Sequence, residues 1–364
     1  MFETSLKFIR ASRQLADRQW PILIKMNKIK FPIAFILIYF LISIFLGGAV
    51  HAQKYQKATP NKGEGVFSLL RRYNLDPSDY FEVFIEMNKE KLGDDLALKT
   101  GQSYLLPVKA ESTSNSTNET GVFPIFGKDY EKIEFKDNKL QGAIFYVIPG
   151  HGGPDPGAIG KKSGHTLCED EYAYDIGLRL ARNLLEHNAT VYIITRDPDD
   201  GIRDEKFLKC DKDEYCWGDK KIPLNQTRRL KQRVNAINET SKKYTGRYER
   251  SVELHVDSRY EKQKVDIFFY HHPNSPKGKA LNETLFKTIK EKYNEVQPNR
   301  GYYGSVSARN LYMIRHANPV SSYIELGNIN HHRDQERLLV VDNRQAIANW
   351  LSDGLIKDYE NSKK

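Results

Sequence analysis

From Gly142 onward the chain alternates short apolar runs with amphipathic stretches: "GAIFYVI", "EYAYDIGLRLARNLLEHN", "TVYIIT", "LNQTRRLKQRVNAINETSKKY", "SVELHVDS", "VDIFFYHH" and "SSYIELGN". The apolar runs are strand-sized, and the longer stretches between them repeat their apolar residues at helical spacing. Such alternation predicts the α/β class, with an open, mostly parallel sheet and helices on both faces. In sheets of this kind ligands and catalytic groups collect where the chain leaves the carboxyl ends of the strands. A charged, cysteine-containing segment between Arg196 and Leu224 interrupts the pattern. Its length and polarity predict a surface insertion that covers or shapes a cleft.

Following the strand exits in order gives His151, in "VIPGHGGPDPGAIG", and then Glu169, at the start of the following helix. Next come His255, closing "SVELHVDS", and Glu325, in "SSYIELGN". Two imidazoles and one carboxylate make a catalytic zinc set in which water takes the open position. A second carboxylate is then free to act as a base. Two alternatives stay open on the residues alone. "CEDEYAYDIGLRL" offers Glu171 as well as Glu169, and "FFYHHPNS" offers His271 and His272 in place of His255.

The amino-terminal part speaks to compartment. Lys25, Lys28 and Lys30 precede "FPIAFILIYFLISIFLGGAV", an uncharged run of about twenty residues, enough to span a bilayer. It ends in "GGAVHA", where Val50 and Ala52 occupy the small positions of a signal cleavage site. Residues 1–52 are therefore expected to be an export signal or a retained inner-membrane anchor, with the rest periplasmic or in the cell envelope. Outside the cytoplasm, Cys210 and Cys216 of "CDKDEYC" are expected to form a disulfide, leaving Cys168 unpaired. The formal charge of +9 favours anionic surroundings. No aromatic and basic base-stacking motif appears, so nucleic acid is not expected as a partner.

Between the export segment and the alternating region lies a compact stretch, residues 63–108, followed by "KAESTSNSTNETG". The latter is rich in Ser, Thr and Asn and reads as a linker, placed at residues 109–141. The compact stretch holds two short helical patterns, "VFSLLRRYNL" and "DYFEVFIEMN", and a closing strand, "GQSYLLPV". That order resembles a small α+β LysM module. The matching positions are Gly63, Glu64, Leu69 to Tyr73, Asn88, Gly101, Gln102, Leu105 and Pro107, and the module's usual Asp-Thr pair is absent.

Across residues 142–356, "GHGGPDPGAIG", the glutamate before a helix, "TRDPDD", "LKQRVNAIN", "LHVDS" and "ELGNINH" resemble, in order, the zinc-dependent N-acetylmuramoyl-L-alanine amidases. Ile148 stands where that family usually has an aspartate before its proline. The resemblance implies that His151, Glu169 and His255 hold Zn2+ and that Glu325 is the catalytic carboxylate. It also implies peptidoglycan as substrate, cut between the lactyl group of muramic acid and L-alanine, and an activator protein as a partner. Rival readings are another zinc-dependent wall peptidase or deacetylase, or a catalytically silent wall-binding protein.

Overall fold

The computed structural model describes residues 55–107 and 120–364, apart from 63, 74, 76, 93–95 and 261–265. The expected export segment, Gly63 and most of the low-complexity stretch lie outside the described residues. Among the described residues no helix is long and apolar enough to cross a membrane.

The first unit runs β1 (Gln56–Ala58), α1 (Val66–Arg72), α2 (Pro77–Asn88) and β2 (Tyr104–Leu106). The two strands pair antiparallel around a small core of Leu69, Leu70, Phe84, Tyr104 and Leu106. Asn88 joins helix to strand, because its amide donates to the Leu105 carbonyl and its oxygen accepts from the Leu105 N–H. The unit is docked on the α/β region that follows through Arg71 and Asp342 (2.6 Å) and through Lys292 and Glu82 (3.1 Å).

Residues 120–141, expected within the linker, are structured. β3 (Thr120–Val122) pairs antiparallel with β4 (Lys132–Glu134). Phe126, Ile133 and Leu140 are fully buried in the main core. Phe126 sits in the short run "GVFPIFG" and the other two among mainly polar neighbours, with no sustained period across the segment, which is why it reads as linker.

The remaining elements are β5 (Ile144–Pro149), β6 (Ile159–Lys162), β7 (His165–Cys168), α3 (Glu169–Glu186), β8 (Thr190–Ile193), β9 (Thr195–Arg196), β10 (Tyr215–Cys216) and β11 (Lys220–Lys221). Then come α4 (Gln226–Ser241), β12 (Glu249–Asp257), β13 (Phe268–His271), α5 (Pro276–Val296), β14 (Ser305–Ala308), α6 (Tyr312–His316), β15 (Val320–Asn328), α7 (His332–Leu339) and α8 (Val341–Ser362). A six-stranded sheet has the order β14-β13-β15-β12-β5-β8. Its neighbouring strands are parallel except for β13 and β15. All six residues of β5 are buried, as a strand covered on both faces requires. Phe145, Val147, Val252, Leu254, Ile324 and Leu326 point into the larger core, which also holds buried residues of α3, α5 and α8. Ile144, Tyr146 and Ile148 point to the opposite face, where Val234 and Ile237 of α4 and Met313 of α6 cover them.

The segment from Arg196 to Leu224 is not a surface appendage. β9, β10 and β11 form a small sheet, Ile202 and Leu208 enter the main core, and Cys216 and Ile222 enter the second one. Asp175 of α3 anchors it. Its Oδ2 accepts from Arg179 Nε (2.8 Å) and Arg344 Nε (2.6 Å), and its Oδ1 accepts from the Arg203 backbone N–H (2.8 Å). Burial opposes the charge on Asp175, but the two guanidiniums outweigh it and hold the carboxyl below its ordinary range.

The cysteine pairing also differs from expectation. Cys168 is bonded to Cys210, with Cα atoms 5.8 Å apart, and Cys216 is free. Cys216 lies on β10 with its side chain in the second core, turned away from its near neighbour in sequence. Cys168, at the end of β7, meets the insertion instead.

This packing leads to two expected outcomes. Asp175→Ala takes the buried carboxylate away from two buried arginines, of which, among the described residues, only Arg179 keeps another, Asp204, and is expected to lower stability by about 3–5 kcal/mol, read from urea unfolding; a loss under about 1 kcal/mol would contradict the anchoring role. Peptide mapping without reductant is expected to recover Cys168 joined to Cys210, with Cys216 alkylated only after unfolding. Recovery of a Cys210–Cys216 peptide would overturn the pairing.

Candidate metal centre

The loop after β5 turns sharply enough to put His151 in the left-handed region, at φ 63°. That conformation is uncommon for a residue with a side chain and persists only where surrounding contacts hold it. Two glycines make room. A Cβ on Gly157 would stand 2.5 Å from Glu169 Oε2, and one on Gly150 would stand 2.3 Å from the His255 ring.

Glu169 is the first residue of α3, His255 lies near the end of β12, and the register of the parallel pair sets Glu325 of β15 directly beside His255. His151 Nε2 stands 3.3 Å from Glu169 Oε1, and His255 Nδ1 stands 2.9 Å from the same oxygen. One donor atom from each residue lies within 4.8 Å of the others, close enough to share a metal ion. The backbone N–H groups of Val256 (2.9 Å) and Ala158 (2.6 Å) donate to the two Glu169 oxygens. Burial opposes its charge, yet the two imidazoles outweigh that and hold Glu169 far below the usual carboxylate range.

Each histidine has a carboxylate on its outer nitrogen. His151 Nδ1 is 3.0 Å from Asp155 Oδ2, which also accepts from Arg229 Nη2 (2.5 Å). His255 Nε2 is 3.2 Å from Glu253 Oε1, an ion-pair contact without hydrogen-bond alignment. Arg233, buried under the loop, donates to the His151 carbonyl. Burial disfavours a charge on His255, but Glu169 and Glu253 outweigh it and raise the imidazole to about 10. Outer carboxylates of this kind orient histidine ligands and strengthen them.

Glu325 is set apart. It is 8% exposed, and among the described residues its Oε2 has no hydrogen-bond partner. Burial is the main cause that pushes its carboxyl up to about 7, with the His255 charge acting against the shift. A carboxyl in that range gains and loses a proton near neutrality, as a general base must.

The four residues singled out in the sequence thus meet at one rim of the sheet. Glu171 does not join them, because it pairs with Arg203 (2.9 Å) and accepts from the Asp211 N–H (2.9 Å). His271 and His272 stand apart too: His271 Nδ1 contacts the His272 carbonyl (3.0 Å), and His272 Nδ1 accepts from the Asn274 N–H (3.2 Å). Sequence reasoning passed over Asp155, Glu253 and the two arginines. Glu253 was open to it, since it lies two residues before His255 and so on the same face of the strand.

Two nitrogens and a carboxylate oxygen, with a second carboxyl unpartnered beside them, form a donor set for a divalent metal next to a base, the layout of a hydrolase. The N-acetylmuramoyl-L-alanine amidase family model matches residues 146–357. The chain belongs to that family. It is 24% identical over 222 residues to the germination-specific N-acetylmuramoyl-L-alanine amidase of Bacillus subtilis (strain 168), covering 60% of this chain and 80% of that protein. Among solved structures it is similar to the amidase AmiC2 of Nostoc punctiforme, at 20% identity and TM-score 0.43, over 62% of this chain and 99% of that one. It is also similar to the CwlD amidase of Clostridioides difficile, solved in complex with the GerS lipoprotein, at 17% identity and TM-score 0.45, over 60% and 99% of the two chains.

A comparison of two histidines tests the centre. His255→Ala is expected to lose zinc retention on dialysis, while His272→Ala keeps it. The reverse result would move the third donor to the end of β13, two places along the sheet from β12.

Proposed function

We propose that the chain is a zinc-dependent N-acetylmuramoyl-L-alanine amidase, hydrolysing the amide bond between the lactyl group of muramic acid and L-alanine in peptidoglycan. The observation that carries this reading is the sharing of Glu169 Oε1 by His151 and His255, with the unpartnered Glu325 on the adjacent strand. Family membership supplies the substrate class.

His151 Nε2, Glu169 Oε1 and His255 Nδ1 would hold the metal. The donors fit it: each imidazole turns one nitrogen to Glu169 and the other toward an outer carboxylate. When bound, zinc supplies a Lewis acid for the amide carbonyl and lowers the pKa of bound water to about 7. Glu325 takes the proton released as the water oxygen bonds to the carbonyl carbon. It returns that proton to the L-alanine nitrogen as the C–N bond breaks, leaving a lactyl carboxylic acid and a free amine. Asp155 and Glu253 keep the two imidazoles in place during both transfers. The sealed surroundings of Glu325 hold its carboxyl near the proton affinity that this double task needs.

The βααβ unit before the catalytic region belongs to the same proposal as a LysM-like, wall-facing module, and the uncharged amino-terminal run as the export element. An activating protein partner is proposed with them, as a feature implied by the family resemblance.

Mass analysis of purified wall fragments, after incubation with zinc and the full-length chain, is expected to find peptides beginning with L-alanine and intact muramic acid lactyl groups. Fragments cut within the peptide, or glycans that have lost acetyl groups, would point to one of the rival hydrolases. Glu325→Gln is expected to retain zinc while turnover drops about 10²–10⁴-fold; turnover near wild type would remove Glu325 from the base role.

A further inference from the structure

The sheet face that carries His255 and Glu325 continues beyond them. β13 runs antiparallel to β15, which sets Phe268 opposite Glu325 and Tyr270 opposite Tyr323. β14 then sets Ser307 opposite Tyr270. Residues opposite one another share a face, and alternate residues along a strand return to it. Tyr323, Tyr270 and Ser307 therefore form one row, with Arg309 two residues past Ser307. α4 and α6 cover the β5 side of this face. On the β13–β14 side, Tyr270 is buried within this row, Tyr323 and Phe268 are half-buried, and Ser307 and Arg309 are exposed.

The rings make a continuous ledge that starts at the centre. Tyr323 stacks on His255 with centroids 4.3 Å apart, Tyr270 lies 6.1 Å from Tyr323, and the Arg309 guanidinium sits 4.9 Å from the centroid of Tyr270. Both phenols are within electrostatic reach of Glu325 and Arg309. A second arginine, Arg259, lies over Phe268 at 5.0 Å, but its charge is engaged by Asp257 at 2.5 Å. Arg309 differs. Among the described residues no acidic group lies within 4.0 Å of its guanidinium, and its backbone N–H is tied to the His271 carbonyl (2.9 Å). An arginine laid on an aromatic ring is held in position while its planar fork stays free for a carboxylate.

We propose that the open face of β13 and β14 seats the substrate's peptide and that Arg309 binds a carboxylate carried by that peptide beyond the bond that is cut. This rests on the amidase reading, which supplies a peptide led by L-alanine as the leaving group. The ledge proceeds in steps no longer than 6.1 Å, and an extended peptide covers about 3.3–3.6 Å per residue. Arg309 is thus within reach of the first few residues of such a peptide. It touches no reacting atom and acts as a specificity determinant.

The test uses the full-length, zinc-loaded chain and two synthetic muramoyl peptides, one with free side-chain and terminal carboxylates and one with all of them amidated. Arg309→Gln is expected to lower kcat/KM on the acidic substrate about tenfold or more, chiefly through KM, and to leave the amidated substrate unchanged. Arg309→Lys restores part of the loss. Equal rates for wild type and Arg309→Gln on the acidic substrate, or equal losses on both, would overturn the assignment. Binding of the acidic peptide to Glu325→Gln, with and without Arg309→Gln, is measured by calorimetry and requires no turnover. Weaker binding in the double variant supports Arg309, and unchanged or undetectable binding in both refutes it. Failure of the wild type to cut either substrate would sink the amidase reading, while the calorimetry still decides the arginine.

Discussion

The centre depends on keeping Glu169 ionised while it is buried. The residue is 4% exposed, and a buried carboxylate without partners costs several kcal/mol. Two imidazoles and two backbone N–H groups offset that cost, and they come from two places far apart in sequence: the loop between β5 and β6, with His151 and Ala158, and the end of β12, with His255 and Val256. No local piece of chain can supply them together. The sheet must first set β5 beside β12 and lay α3 across them. The left-handed His151 and the glycines at 150 and 157 are consequences of fitting two rings and a carboxylate into one small volume.

The first turn of α3 places three acids in a row, which a helix amino terminus favours, but it treats them differently. Glu169 stays charged against the histidines. Glu171 is paired with Arg203. Burial, reinforced by Glu214 and Glu171 and only partly opposed by His151, pushes the Asp170 carboxyl up to about 8, so it is mainly neutral at pH 7. The insertion takes part in the last two of these outcomes by supplying Arg203 and Glu214, while Glu214 also accepts from the Gly153 N–H of the His151 loop (2.5 Å). The Cys168–Cys210 bond fixes the insertion to the residue immediately before Glu169. A segment that interrupts the strand–helix rhythm therefore shapes the environment of the centre.

The same contrast explains what could be read from the chain beforehand. β5, α3, β12 and β15 carry strong periodicity over whole elements, so their type and order were legible, and with them the strand exits that hold His151, His255 and Glu325. Cys216 was harder: only five residues separate it from Cys210, and only the packing of β10 against Ile144 and Tyr146 shows that its side chain turns inward. Phe126, Ile133 and Leu140 each find a core partner far along the chain, a kind of contact that leaves no local period. β1 is three residues long and forms through pairing with β2 across the whole first unit. What local spacing encodes was readable, and what depends on a distant partner was not.

The two faces of the sheet divide the work. On one, the row of Phe145, Val147, Val252, Leu254, Ile324 and Leu326 is sealed in a continuous core, so that face has no polar group to spare. On the other, the alternate positions of the same strands deliver Glu253, His255, Tyr323 and Glu325, and α4 covers only part of the area. The antiparallel placement of β13 matters here, because it extends the sheet past Glu325 without a crossover helix on that side, and α5 packs with the core behind it. A centre built on the fully covered face would have no approach for a polymer. Built at the half-covered face, it lies beside an aromatic row that leads to the exposed Arg309, while Glu169, His255 and Glu325 themselves remain buried.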